Sequence, residues 1–87
     1  MIYVDNFGNV ITNIKADMIP KGVRNITIKF KDKELTMPFK RAYNDVPKGE
    51  VLSLIDSFNY LEVAVNQGSA AKRLGLSVGD SVVIELS

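Results

Sequence analysis

Cysteine and histidine are both missing from these 87 residues. Without cysteine there is neither a disulfide framework nor thiolate chemistry, and no redox mark on the compartment, which leaves the cytosol as the expected location. Without histidine the usual general base at neutral pH and the commonest metal ligand are gone. No Ser/His/Asp set can therefore be assembled, and no metal site is expected. There is no phosphate-cradling Gly-x-x-x-x-Gly-Lys run. No apolar run reaches membrane-spanning length and no signal-peptide pattern opens the chain, so no membrane partner is expected. A dominant charge is missing too. Eleven Lys plus Arg stand against ten Asp plus Glu, net +1, which gives no strong field for nucleic acid or anionic lipid. What is present is apolar content, 46%, enough for one small domain with one modest packed core.

The order along the chain is mostly short strands. Ile2 and Val4 alternate with Tyr3 and Asp5, and Val10, Thr12 and Ile14 alternate with Ile11 and Asn13. Arg24 to Lys31 puts Ile26, Ile28 and Phe30 on one face and Thr27, Lys29 and Lys31 on the other, a half-exposed antiparallel strand. Leu35 and Met37 return on the inner face. Phe39 to Glu50 reads as a loop of functional length. Val51 to Asp56 and Tyr60 to Asn66 are strands joined by Ser57-Phe58-Asn59, with Leu61, Val63 and Val65 sharing one face and Glu62 and Ala64 on the other. Ser69 is an N-cap for a short helix over Ala70–Leu74, stopped by Gly75. Val82, Ile84 and Leu86 point inward on a last strand. The expected fold is mainly all-β: a small antiparallel β-barrel of about seven strands, with one short helix near residues 69–75.

The densest chemistry lies in Val4-Asp5-Asn6-Phe7-Gly8-Asn9-Val10-Ile11-Thr12-Asn13. Gly8 allows a positive φ or a close backbone approach. Phe7 offers a flat apolar face, with Asp5 and Asn9 beside it as acceptors and donors. That set suits a small molecule with an aromatic ring, a positive charge and hydroxyls, and it equally makes a plain turn. Asp45 and Glu50 flank Pro47 and Gly49 and read as turn carboxylates. Tyr43 is a stacking platform or a barrel plug, and Ser57 reads as a turn cap. Two other uses of a small barrel stay open. Lys29, Lys31, Lys33, Lys40 and Arg41 would serve a nucleic-acid-binding module, and a barrel face would serve a protein-interaction module.

Two stretches resemble known families. Gly68-Ser69-Ala70-Ala71, Gly75-Leu76 and Gly79-Asp80 are similar to a stretch of PDZ domains, but the sequence ends seven residues after Asp80 and has no Gly-Leu-Gly-Phe-like loop. The second resemblance spans nearly the whole chain. Asp5-x-Phe7-Gly8-Asn9-x-x-Thr12-Asn13-Ile14 is followed by Tyr43-x-Asp45-Val46-Pro47-x-Gly49-Glu50. Next comes Ser57-x-x-Tyr60-Leu61-Glu62-Val63-Ala64-Val65-Asn66-Gln67-Gly68-Ser69-Ala70-Ala71, then Leu74-Gly75-Leu76 and Gly79-Asp80. In this order they resemble the C-terminal β-barrel domain of the S-adenosylmethionine hydroxide adenosyltransferases, relatives of the fluorinase and chlorinase.

The resemblance implies a single barrel domain over residues 1–87, the substrate-binding half of an enzyme that hydrolyses S-adenosylmethionine to adenosine and methionine. S-adenosylmethionine enters as substrate and no cofactor is implied. The catalytic N-terminal domain, not contained in this chain, would come from a neighbouring subunit of a homotrimer, so this chain alone would be inactive. Position by position, Asp5 would accept from the methionine ammonium, and Phe7 and Tyr43 would lie against the adenine. Asn9 would bond the adenine edge, and Ser57 would donate to the methionine carboxylate. Backbone groups of Val65, Asn66 and Gln67 would complete the pocket. Phe58 stands where the halogenating relatives carry an Arg that grips the carboxylate.

Overall fold

The structure, a computed structural model, describes residues 2–87. Among them are seven strands and one α-helix: β1 (Tyr3–Val4), β2 (Val10–Lys15), β3 (Asn25–Phe30), β4 (Lys33–Pro38), β5 (Val51–Ile55), β6 (Tyr60–Val65), α1 (Ala70–Leu74) and β7 (Val83–Leu86). Two single 3-10 turns, Ala16–Met18 and Tyr43–Asp45, lie in the connections. The strands pair antiparallel in two sheets, ordered β1-β2-β6-β5 and β4-β3-β7. The fold is mainly β and barrel-like, as the alternation predicts. Its hydrogen-bond ladder is split rather than continuous. The sheets meet through a parallel bridge between Phe39 and Ser53, where Lys40 N–H donates to the Ser53 carbonyl and the Ser53 hydroxyl to the Pro38 carbonyl. On the far side, Ile2 N–H donates to the Asp80 carbonyl and Gly79 N–H to the Ile2 carbonyl.

Alternation explains the core. Val10, Ile26, Ile28, Phe30, Met37, Leu61 and Val63 turn inward and are buried between the sheets, and α1 closes one end with Ala70 and Leu74. The helix is two turns at most and needs its caps. The Ser69 hydroxyl accepts the Lys72 amide, and Gly75, at φ 68°, takes the left-handed stop while Leu76 N–H returns to the Ala71 carbonyl. On the outer face of β3–β4, Thr27 and Thr36 share a 2.7 Å hydrogen bond and Lys29 pairs with Glu85.

β6 is buried on both faces. Opposite the main core, Leu52, Leu54 and Ala64 form a second small cluster with Val46, so the segment after Phe39 roofs the outer face of β5–β6. Asn66 fastens that roof: its side-chain amide donates to the Val46 carbonyl, its backbone N–H to the Glu50 carbonyl, and Gly49 N–H to its own carbonyl. The stretch expected as an irregular loop is therefore a packed cover carrying the Tyr43–Asp45 turn, with Asp45 Oδ2 accepting the amides of Arg41 and Ala42.

Candidate functional site

One row of residues crosses all four strands of the first sheet on this outer face. Register places Tyr3 opposite Ile11, Ile11 opposite Glu62, and Glu62 opposite Leu54. The row is the floor of a hollow of about 520 Å³. Its walls are two hairpin turns from opposite ends of the sheet, since β2 and β6 run antiparallel with Val10 opposite Val63 and Lys15 opposite Tyr60. Tyr43 leans over it from the roof segment.

The two turns share one plan. In Asp5-Asn6-Phe7-Gly8-Asn9, Asp5 Oδ1 accepts the amides of Phe7 and Asn9, each at 2.9 Å. In Asp56-Ser57-Phe58-Asn59-Tyr60, Asp56 Oδ1 accepts the amides of Phe58 and Tyr60, each at 2.9 Å. Each is a three-residue loop whose last member, Gly8 at φ 82° or Asn59 at φ 70°, is left-handed. Each presents a phenyl ring at the same position, Phe7 with 79% and Phe58 with 80% of its surface exposed. The aspartate side chain replaces backbone partners that a tight loop cannot supply, and it throws the ring at the third position outward.

Charge in the hollow has one sign. Asp5, Asp56 and Glu62 line it, with no Lys or Arg among its described lining residues. Five of the seven aromatic residues, Tyr3, Phe7, Tyr43, Phe58 and Tyr60, also line it. Glu62 is only 3% exposed, between Ile11 and Leu54. Burial pushes its carboxyl above the usual carboxylate range; the Tyr43 hydrogen bond works against that rise, and the charges of Asp5 and Asp56 add to it. The Tyr43 hydroxyl donates to Glu62 Oε2 at 2.7 Å. Its phenol is held well above the usual range by burial, then by the hydrogen bond and charge of Glu62. Aromatic walls with carboxylates and no competing cation favour a ligand joining a flat ring to a positive group. Among the described residues no group of three acidic side chains is set to hold a metal ion.

A second hollow of about 560 Å³ adjoins the first and shares Phe7, Asn9 and Tyr43 with it; Val65, Asn66, Gln67 and Gly68 form its other side. All nine residues singled out in the sequence thus line one or both hollows: Asp5, Ser57 and Phe58 the first, Val65, Asn66 and Gln67 the second, and Phe7, Asn9 and Tyr43 both. Their free bonding capacity is uneven. Asp5 Oδ2 already accepts Asn9 Nδ2 at 3.0 Å, and the Asn66 backbone is engaged by Gly49 and Glu50. Tyr43 is a rim residue, 43% exposed, rather than a plug. Ser57 does not cap its turn; Asp56 does.

Sequence reasoning missed Asp56 and Glu62. The signal for Asp56 is the near-repeat of Asp-x-Phe in the two turns. For Glu62 it is the shared face with Leu54 and Leu52, whose two large apolar side chains need a cover. The lysines considered for nucleic acid do not gather. Lys29 pairs with Glu85, Lys31 Nζ donates to the Gly75 carbonyl, and Lys40 and Arg41 line a separate hollow.

Residues 1–83 match the family model described as the SAM hydroxide adenosyltransferase C-terminal domain. The chain belongs to that family. Similar curated proteins are named (R)-S-adenosyl-L-methionine hydrolase: one from Thermus thermophilus, 34% identical over 86% of this chain and 27% of that protein, and one from Methanocaldococcus jannaschii, 32% identical over 97% and 34%. The chain therefore spans about a third of the length of these relatives. Among solved structures, an uncharacterized conserved protein from Thermotoga maritima superposes with a TM-score of 0.86 at 36% identity, covering 94% of this chain and 33% of its own. A conserved hypothetical protein from Thermus thermophilus gives 0.70 at 31% identity. Among the described residues no helix is long and apolar enough to cross a membrane.

Proposed function

We propose that this chain is the ligand-binding half of an enzyme that hydrolyses S-adenosylmethionine to adenosine and methionine. The observation that carries the reading is the pair of adjoining hollows, which gathers nine residues from separated segments around the shared Phe7, Asn9 and Tyr43. Family membership and the hydrolase relatives support it. Adenine lies in the hollow bounded by Phe7, Tyr43 and the Val65–Gln67 edge, where ring stacking on exposed aromatics gives affinity and the Asn9 amide reads the purine edge. The sulfonium and the ammonium face the carboxylate-lined hollow, where Asp5 and the aromatic rings attract positive charge. Ser57 donates to the methionine carboxylate.

Water activation belongs to residues outside this chain. No histidine, the usual general base at neutral pH, is available here. A neighbouring subunit's N-terminal domain supplies that machinery and the other wall of the pocket, in a cytosolic homotrimer. The isolated chain therefore binds adenosine weakly and turns nothing over. Adenosine titration followed by amide NMR tests this: shifts at Asp5–Asn9 and Val65–Gln67 are expected, and unmoved resonances at millimolar adenosine would overturn it.

A further inference from the structure

We propose that Glu62 is a positioning residue, which sets the Tyr43 ring at the junction of the two hollows through its hydrogen bond to the Tyr43 hydroxyl. The inference rests on the reading of Tyr43 as a platform for adenine. Nothing in the chemistry of that reading assigns Glu62 a contact with ligand.

Three observations carry it. The bond is short, 2.7 Å, and joins two elements far apart in sequence, the Tyr43–Asp45 turn and the central strand β6. It is the ring's one hydrogen bond among the described residues. The main chain under Tyr43 is held independently, by Asp45 Oδ2 on the Arg41 and Ala42 amides and by Val46 packed in its own cluster. Loss of the Glu62 acceptor therefore frees the ring and leaves the roof in place. Finally, a carboxyl this buried, with Ile11 and Leu54 beside it and Asp5 and Asp56 nearby, is an unfavourable choice for stability alone. An apolar residue would fill that position better. Tyr43 lines both hollows, so the angle of its ring decides the width of the passage between them. A ring pinned at its hydroxyl loses less freedom when a planar ligand stacks on it, and that preorganisation appears as affinity.

The test uses the full chain with tyrosine labelled at the ring carbon bearing the hydroxyl. Three resonances are expected, from Tyr3, Tyr43 and Tyr60, and Tyr43→Phe identifies the middle residue by loss of its signal. In Glu62→Leu the Tyr43 resonance should move toward that of the exposed Tyr3, while Glu62→Gln, which keeps an acceptor oxygen, should hold it near its original position. Adenosine affinity should fall roughly threefold to tenfold in Glu62→Leu and in Tyr43→Phe, and the double variant should be no weaker than either. Rescue by Gln and this non-additivity separate positioning from a general loss of structure. An unmoved Tyr43 resonance in Glu62→Leu, or additive losses, would overturn the inference. Should Glu62→Leu fail to fold, Tyr43→Phe with Glu62→Gln carries the test: the Phe variant must weaken adenosine and the Gln variant must not. If the resonance behaves as expected but adenosine binds nowhere, the positioning role stands and the nucleoside reading falls.

Discussion

The turns Asp5–Asn9 and Asp56–Tyr60 share an aspartate, an outward phenyl ring and a left-handed fourth residue, yet they are anchored differently. Both dock through the carbonyl of that fourth residue: Gly8 accepts from Ala71 N–H of α1, and Asn59 from Ala16 N–H, each at 2.8 Å. The Asp5 turn adds two further ties. Asn9 folds its side chain onto Asp5 Oδ2 and is itself buried, and Gly8 lies so close to α1 that an added Cβ would overlap the Ser69 hydroxyl and come within 2.7 Å of its Cβ. In the Asp56 turn the equivalent Asn59 is exposed, and Asp56 Oδ2 has no protein partner among the described residues. One turn is clamped into the scaffold while the other stands more freely with an unused acceptor. A site built this way has one wall tied closely into the scaffold and one held mainly by its own turn.

The clamp predicts the largest contrast. Gly8→Ala must force a side chain into a left-handed position and against Ser69, and should cost about 2–4 kcal/mol. At the equivalent position Asn59→Ala should cost only about 1 kcal/mol, and Asn59→Gly should stay within about 0.5 kcal/mol of the parent. Urea unfolding of the three variants checks this, and equal costs for the two alanines would mean that docking on α1 adds nothing. The aspartates should follow the same order. Asp5→Ala removes three hydrogen bonds and should cost about 2–3 kcal/mol, whereas Asp56→Ala removes two in a freer turn and should cost about 1–2 kcal/mol.

A smaller effect lies between the turns, at Glu62. Its carboxyl is raised in the folded state, above its value in the unfolded chain. Such a group contributes stability that is fully present below the unfolded value and is lost as pH rises through the folded one. The Glu62→Gln variant has no such term. Wild type should therefore gain stability relative to Glu62→Gln as pH falls from neutrality into the carboxylate range. The groups facing Glu62 are Tyr43, whose phenol stays protonated throughout, and Asp5 and Asp56, which are common to both proteins and largely cancel in the difference. Denaturation midpoints measured for the pair across that range give the answer, and a gap that widens in the opposite sense would contradict the raised carboxyl.

Much of this was legible in the residues. Alternation in Ile26-Thr27-Ile28-Lys29-Phe30 places the strand and its faces, and Ser69 with Gly75 bounds α1, because local chemistry decides both. The gathering of Phe7, Tyr43, Ser57 and Gln67 was legible through the resemblance and not through their own spacing, since the pairing of β2 with β6 and the packing of the roof segment bring them together. The split of the ladder into two sheets was not visible, because it depends on where β4 crosses to β5 at Phe39 and Ser53. Nor was the burial of Glu62. Strand alternation reads it as facing out, and it does; a packed segment about twenty residues earlier covers that face. Leu52 and Leu54 on the same face were the available clue.

The smallest effect on stability, and the sharpest on ligand, concerns the two phenyl rings. Phe7 and Phe58 are both about four-fifths exposed, so truncation removes little buried surface. Phe7→Ala and Phe58→Ala should each lie within about 0.5 kcal/mol of the parent in unfolding. Their effects on adenosine should part, because Phe7 borders both hollows and Phe58 only the first. If adenine occupies the hollow next to Val65–Gln67, Phe7→Ala weakens adenosine by about 0.5–1.5 kcal/mol, while Phe58→Ala leaves it unchanged. Binding of S-adenosylmethionine, whose positive end reaches the other hollow, should weaken in both. Equal losses of adenosine from the two variants would place the base between the rings instead, and would assign the Val65–Gln67 edge some other task.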